Sequence, residues 1–409
     1  MNWFIKGWCI VLFISACWLP GLRAQQFFFS EGYTHERLSF ISIKNMLIVP
    51  VFINGQGPFN FILDTGVAPI IIVDSGILDS VSRRALRHIS INGHGEGQEL
   101  EAYVASPIKA SIGHAQIEKA SAIVLKNDVF NLSAYLGLPI HGIIGYHFFN
   151  SFTVQINYVQ QRLLFWQAGW RKSISGKKIP IEILDGKPYV QAILDVDSLG
   201  KIPAKLIIDC GASHALSLEA WQGHAFPLPY RHFQANLGVG LSGKINGYIG
   251  RIKTLTLGDF ILENVLTSFP DYNDVGAKTQ QKQRTGNLGA NILQKFNVIF
   301  DYPQRSIYLK KNTHFYEPFE HDMSGMELYS GNPEFARIFV SRVEPGSPAD
   351  KAGIESDDEI LSVNLIPTGQ YTLEDLSNLL KSKKGRVILI EFARRGHRYM
   401  KLLALSPRI

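Results

Sequence analysis

Two segments of this chain pair an apolar run with an aspartate and a glycine two residues on. They read Phe61-Ile-Leu-Asp64-Thr65-Gly66 and Leu206-Ile-Ile-Asp209-Cys210-Gly211-Ala212-Ser213. Each apolar run calls for a buried strand that ends at the carboxylate, and each glycine lets the backbone turn sharply there. Two carboxyls brought within about 3 Å cannot both ionise, so they hold one proton between them. The ionised partner can take a proton from water. The protonated partner can hydrogen-bond a carbonyl and stabilise the oxyanion that forms. Such a pair titrates as a unit, so sequence assigns neither aspartate as acid or base. A lone Asp-Thr-Gly is ordinarily a turn, and it is the pairing that points to catalysis.

The pairing extends into a repeat. Asp64 and Asp209 are 145 positions apart. Gly142-Ile-Ile-Gly145 matches Gly286-Asn-Leu-Gly289 at an offset of 144. At the same offset, Asn150-Ser-Phe-Thr-Val-Gln-Ile-Asn157-Tyr158 matches Gln294-Lys-Phe-Asn-Val-Ile-Phe-Asp301-Tyr302. Both copies close on a strand, Leu163-Leu-Phe-Trp166 and Ile307-Tyr-Leu309. The surrounding runs are short and β-like, with Asn54-Gly55, Asn92-Gly93 and Asn246-Gly247 as hairpin turns. Helical periodicity is weak until Leu373–Leu380. The fold class expected is mainly β. Two homologous lobes, 31–168 and 169–312, are followed by a linker at 313–322 and a third unit at 323–406.

The chain has 409 residues, 46% apolar and 19% charged, which excludes a disordered chain, a coiled coil and a collagen-like fibre. Lys6 followed by an apolar run to Leu19 and by Pro20, Gly21 and Ala24 reads as a signal peptide over residues 1–24. The run is shorter than the roughly 20 apolar residues that span a bilayer. Cleavage after Ala24 predicts an exported protein, periplasmic or extracellular. The rival Ile14-Ser15-Ala16-Cys17 resembles a lipobox, which predicts an outer-membrane lipoprotein attached through Cys17. The formal charge of +6 falls to +4 without Lys6 and Arg23. No basic run is dense enough for nucleic acid. Of three cysteines, Cys9 and Cys17 lie in the signal, leaving Cys210 as a single thiol with no disulfide.

On these motifs, residues 31–312 resemble the bacterial retropepsin-like aspartic proteases of the single-chain, two-lobed kind that carries a C-terminal PDZ domain. The resemblance rests on Asp64-Thr-Gly66, Asp209-Cys-Gly211, Ile143-Ile-Gly145 and Asn287-Leu-Gly289. It implies one β-barrel per lobe, a pseudo-two-fold cleft and peptide-bond hydrolysis by Asp64 and Asp209 without metal or cofactor. Thr65, Gly66, Cys210, Gly211 and Ser213 would support the pair, with Thr65 bonding across to the opposite loop. Three positions depart from the pattern. Cys210 replaces the second threonine and brings only a weak donor. Val67-Ala68-Pro69 replaces small or hydroxyl residues, and Asn287 breaks an apolar pair. The alternative these departures keep open is a catalytically degenerate peptide-binding scaffold.

Such a site needs lids, and 89–104 with its tip at 92–95, and 236–251 in the second lobe, are the candidates. The second contains Gly238-Val-Gly240-Leu-Ser-Gly243, a GxGxxG pattern without the helix that a nucleotide site requires. The twelve histidines make no metal-binding motif, and His214 is expected to be packed or hydrogen-bonded. Residues 323–406 resemble a PDZ domain, on Val343-Glu-Pro-Gly-Ser-Pro-Ala349 and Asp358-Glu-Ile-Leu-Ser-Val-Asn364. The resemblance makes Ser324, Gly325, Met326, Glu327 and Leu328 a carboxylate-binding loop. Exposed N–H groups at Gly325 and Met326 would hold a peptide C-terminus while the peptide adds a strand. The partners expected are a polypeptide substrate and a peptide C-terminus, with no nucleic acid, for a monomer.

Overall fold

A computed structural model describes residues 26–91, 100–105, 107–170, 173–240, 243–273, 284–332 and 337–409. The expected signal, with Cys17, and the lid tip at 92–95 lie outside the described residues. The chain is mainly β. No helix among the described residues is long and apolar enough to cross a membrane.

Each half builds the same arrangement around its aspartate. In the first, Met46–Ile53 and Gln56–Leu63 form an antiparallel hairpin. Its turn residues Asn54 and Gly55 both take left-handed backbone, at φ 49° and 80°. Gln56–Leu63 then lies parallel to Gly142–Ile144, with Phe61 opposite Gly142. Gly142–Ile144 pairs antiparallel with Ile70–Ile72. In the second half, Lys187–Val196 and Gly200–Asp209 form the hairpin. Gly200–Asp209 lies parallel to Gly286–Gly289, with Leu206 opposite Gly286, and Gly286–Gly289 pairs antiparallel with Leu216–Leu218. The sequence offsets of the repeat therefore reappear as strand registers.

A six-stranded sheet joins the halves. At its centre Thr153–Asn157 pairs antiparallel with Phe296–Asp301, Val154 opposite Phe300 and Ile156 opposite Val298. Copies of one repeat block paired antiparallel are what a local two-fold axis produces. One apolar core runs through both halves and includes Leu47, Phe61, Phe148, Leu206, Leu288 and Phe296.

Residues 313–322 connect to the last unit but are not a loose linker. Phe315 and Phe319 are buried in the main core, and the Phe315 ring packs edge-on against Phe296 at 5.3 Å. The last unit has its own core, with Leu328, Val340, Leu376 and Ile390. Its sheet runs Met326–Asn332, Arg337–Val343, Glu359–Val363, Val387–Arg394, His397–Ala404. Helix Leu373–Leu380 starts at a capping box in which Thr372 and Asp375 satisfy each other's backbone N–H.

Candidate active site

Both aspartates sit where a strand leaves its sheet. Asp64 N–H donates to Ile144 O at 2.9 Å, and Asp209 lies opposite Gly289 in the parallel register. Gly66 N–H donates to Asp64 Oδ1 at 2.6 Å, and Gly211 N–H to Asp209 Oδ1 at 3.0 Å. The two carboxyls hydrogen-bond each other. Burial pushes the Asp64 carboxyl well above the usual carboxylate range; the Asp209 charge and the bond between them add to this, against Gly66 N–H and Lys187. A side chain at either glycine would crowd the carboxyls. A Cβ on Gly66 would lie 3.0 Å from Asp209 Oδ2, and one on Gly211 would lie 2.2 Å from Asp64 Cγ. The arrangement is chemically a pair of carboxyls able to share one proton.

Thr65 crosses between the halves. Fully buried, its Oγ1 donates to Ile208 O at 2.7 Å and accepts from Cys210 N–H at 3.0 Å. Cys210 returns the contact, its Sγ donating to Leu63 O at 3.3 Å. Burial, with the Asp64 charge, pushes the Cys210 thiol up, so it stays protonated and serves as a donor rather than a nucleophile. Thr65→Val strands a buried carbonyl and a buried N–H, at about 1–3 kcal/mol each. A thermal melt should show the midpoint falling by several degrees. Cys210→Thr places a better donor at the same carbonyl and should leave the midpoint in place or raise it.

Ser213 is tied to the first half rather than to the carboxyls. Its carbonyl accepts from Asn45 Nδ2 at 2.9 Å, and its side chain hydrogen-bonds Tyr135. Sequence reasoning did not select Asn45 or Tyr135, and it read Asn287 only as an interruption. Asn287 Nδ2 in fact donates to Asp209 Oδ2 at 2.9 Å. The available signal was a polar residue in an apolar glycine-flanked strand whose register mates it with the strand ending at Asp209. Tyr158 and Tyr302, equivalent in the repeat, are both buried near Cys210.

Of the lid candidates, Arg87–Ile91 pairs antiparallel with Leu100–Val104. In the second half His232–Gly240 pairs with Gly243–Leu257 as a hairpin, so no helix follows the GxGxxG glycines. Among the described residues no cluster of three His, Cys, Asp or Glu could hold a metal ion.

The Ser324–Leu328 loop differs from expectation. Its N–H groups are not free, because Asp322 Oδ1 accepts from Gly325 N–H at 2.6 Å and Ser324 N–H at 3.0 Å. Met326 N–H donates to Ser324 Oγ at 3.1 Å. Burial pushes the Asp322 carboxyl up to about 6. Ser324, Met326 and Leu328 are buried. Helix Leu132–Leu136 of the first half packs against Met326–Asn332, and Lys44 N–H donates to Glu374 Oε2 at 2.7 Å on helix Leu373–Leu380. Between them lies a cavity of about 270 Å³ lined by Lys44, Asn45, Tyr135, Asn236, Leu328 and Lys381. Lys44, pushed down to about 8 by burial, rests over the Tyr135 ring at 3.5 Å.

Residues 339–394 match the family model described as PDZ domain. The C-terminal unit is a PDZ domain. Two relatives share short stretches with the chain. A carboxyl-terminal-processing protease from Picosynechococcus sp. (strain ATCC 27264 / PCC 7002 / PR-6) is 38% identical over 68 residues, 16% of this chain and 16% of that one. The 26S proteasome non-ATPase regulatory subunit 9 from Rattus norvegicus is 30% identical over 83 residues, 20% of this chain and 36% of that one. The chain thus spans 16% and 36% of these relatives' lengths. A PDZ domain is a peptide-binding module, and its peptides add a strand to an exposed sheet edge.

Proposed function

We propose that the chain is an aspartic endopeptidase, exported from the cell, in which Asp64 and Asp209 share one proton and activate one water. What carries the reading is the geometry of the pair: two hydrogen-bonded carboxyls, each on a glycine loop, locked by the reciprocal Thr65 and Cys210 contacts. In this mechanism the ionised carboxyl takes a proton as water oxygen attacks the peptide carbonyl carbon. The protonated carboxyl donates to the carbonyl oxygen. In the collapse of the tetrahedral intermediate the carboxyl that took water's proton passes it to the nitrogen, the C–N bond breaks, and the other carboxyl takes back a proton from a hydroxyl as the C=O bond re-forms. The PDZ domain supplies peptide recognition beside the cleft. Its loop is self-liganded through Asp322 in this conformation, so a peptide C-terminus must displace that carboxylate.

The test is cleavage of an unfolded protein between about pH 3 and 7 with a chelator present. Cleavage with a bell-shaped pH profile supports the proposal. A purified, folded chain that cuts nothing across that range is a binding scaffold.

A further inference from the structure

The two carboxyls are not held alike. Each Oδ1 accepts from the glycine N–H of its own loop, but Asp209 Oδ2 also accepts from Asn287 Nδ2 at 2.9 Å. The repeat puts Ile143 at the equivalent place beside Asp64, and an isoleucine side chain has no proton to give. Asn287 cannot drift away. Its strand is fixed on both sides by glycines against which even a Cβ would collide, 1.9 Å from Ser217 O at Gly286 and 2.2 Å from His214 O at Gly289. The His214 ring lies behind the amide. The two side chains interact, and beyond that contact neither His214 Nε2 nor Asn287 Oδ1, both buried, finds a partner among the described residues. With its oxygen turned toward His214, the amide directs its Nδ2 at Asp209.

An amide N–H bonds an ionised carboxylate about twice as strongly as a neutral group. We propose that Asn287 is a positioning residue that places the pair's negative charge on Asp209 and its proton on Asp64. Asp209 is then the base toward water, and Asp64 the acid toward the scissile carbonyl. The proposal deepens the hydrolytic reading and rests on it for those roles; the placement of the charge is measurable without turnover. The direction in which burial moves the Asp64 carboxyl agrees with it. The other titratable groups facing the pair are Lys187, Cys210, Tyr302 and His214, with Glu219 beyond His214. Cys210 and Tyr302 are pushed up by burial and stay neutral in acid.

The test is NMR titration of protein labelled with 13C at the aspartate carboxyls. Asp64→Asn and Asp209→Asn assign the two signals. In the wild type Asp209 should ionise in the first step and Asp64 keep the last proton. In Asn287→Ile the first step should move up by about one pH unit or more. The second step should stay, because the Asn287 bond to ionised Asp209 is present on both sides of it. The opposite order in the wild type, or a shift confined to the second step of Asn287→Ile, overturns the proposal. If the chain hydrolyses peptides, the acid limb of its kcat/KM profile moves with the first step. Should it hydrolyse none, the enzymatic reading fails while the wild-type order still decides the role of Asn287, even if Asn287→Ile does not fold.

Discussion

Asp64→Asn and Asp209→Asn should each lower kcat/KM on a peptide substrate by at least about 10³-fold, the upper part of the range for positioned acid–base groups. Asparagine keeps the shape of the side chain and an oxygen that can accept from Gly66 or Gly211. It can neither share the proton nor release it, so the loss should fall on kcat rather than on KM. Folding should survive both changes. Because the Asp64 carboxyl is raised in the folded protein, the folded state keeps a proton that the unfolded chain has lost. That contribution is fully present in acid and fades as pH rises through the folded value. Wild-type stability should therefore decline with rising pH more steeply than that of Asp64→Asn, in thermal melts taken across the acid range. Wild-type activity in either variant would remove the pair from the mechanism.

Gly211→Ala should lower kcat by about 10²-fold or more, with a drop in melting temperature of only a few degrees. The new methyl would sit 2.2 Å from Asp64 Cγ, a collision resolved only by moving the carboxyl itself. A shift of about 1 Å in a catalytic group costs roughly that factor in rate, while overpacking at one site costs about 1–3 kcal/mol of stability. Gly66→Ala should be milder, because its methyl meets oxygens at 3.0 Å. Equal rates for Gly211→Ala and wild type would mean that the Asp64 carboxyl takes no part in turnover.

The repeat was legible because equal offsets in sequence become equal registers in space. Phe61 meets Gly142 and Leu206 meets Gly286. The helix at Leu373–Leu380 was legible from local periodicity. Most of what escaped was set by partners distant in sequence. Asn287 looks like a flaw in an apolar element until the neighbouring strand brings Asp209 to it. Phe315 and Phe319, among charged and polar neighbours, read as linker, yet they close the core around Phe296. The resemblance makes the Gly325 loop a carboxylate site, but the carboxylate bound there belongs to Asp322, three residues away. Cys210 read as a weak substitute and is one, its bond to Leu63 O at 3.3 Å being longer than the Thr65 bond to Ile208 O at 2.7 Å.

Calorimetric binding of a statine-type peptide, whose hydroxyl takes the place of the attacking water, tests the shared-proton pair most directly. The wild type should bind it, and Asp64→Asn and Asp209→Asn should each weaken binding by about 10²-fold or more. Equal affinity in all three proteins, or no binding by a folded wild type, would contradict a hydrolytic centre at Asp64 and Asp209.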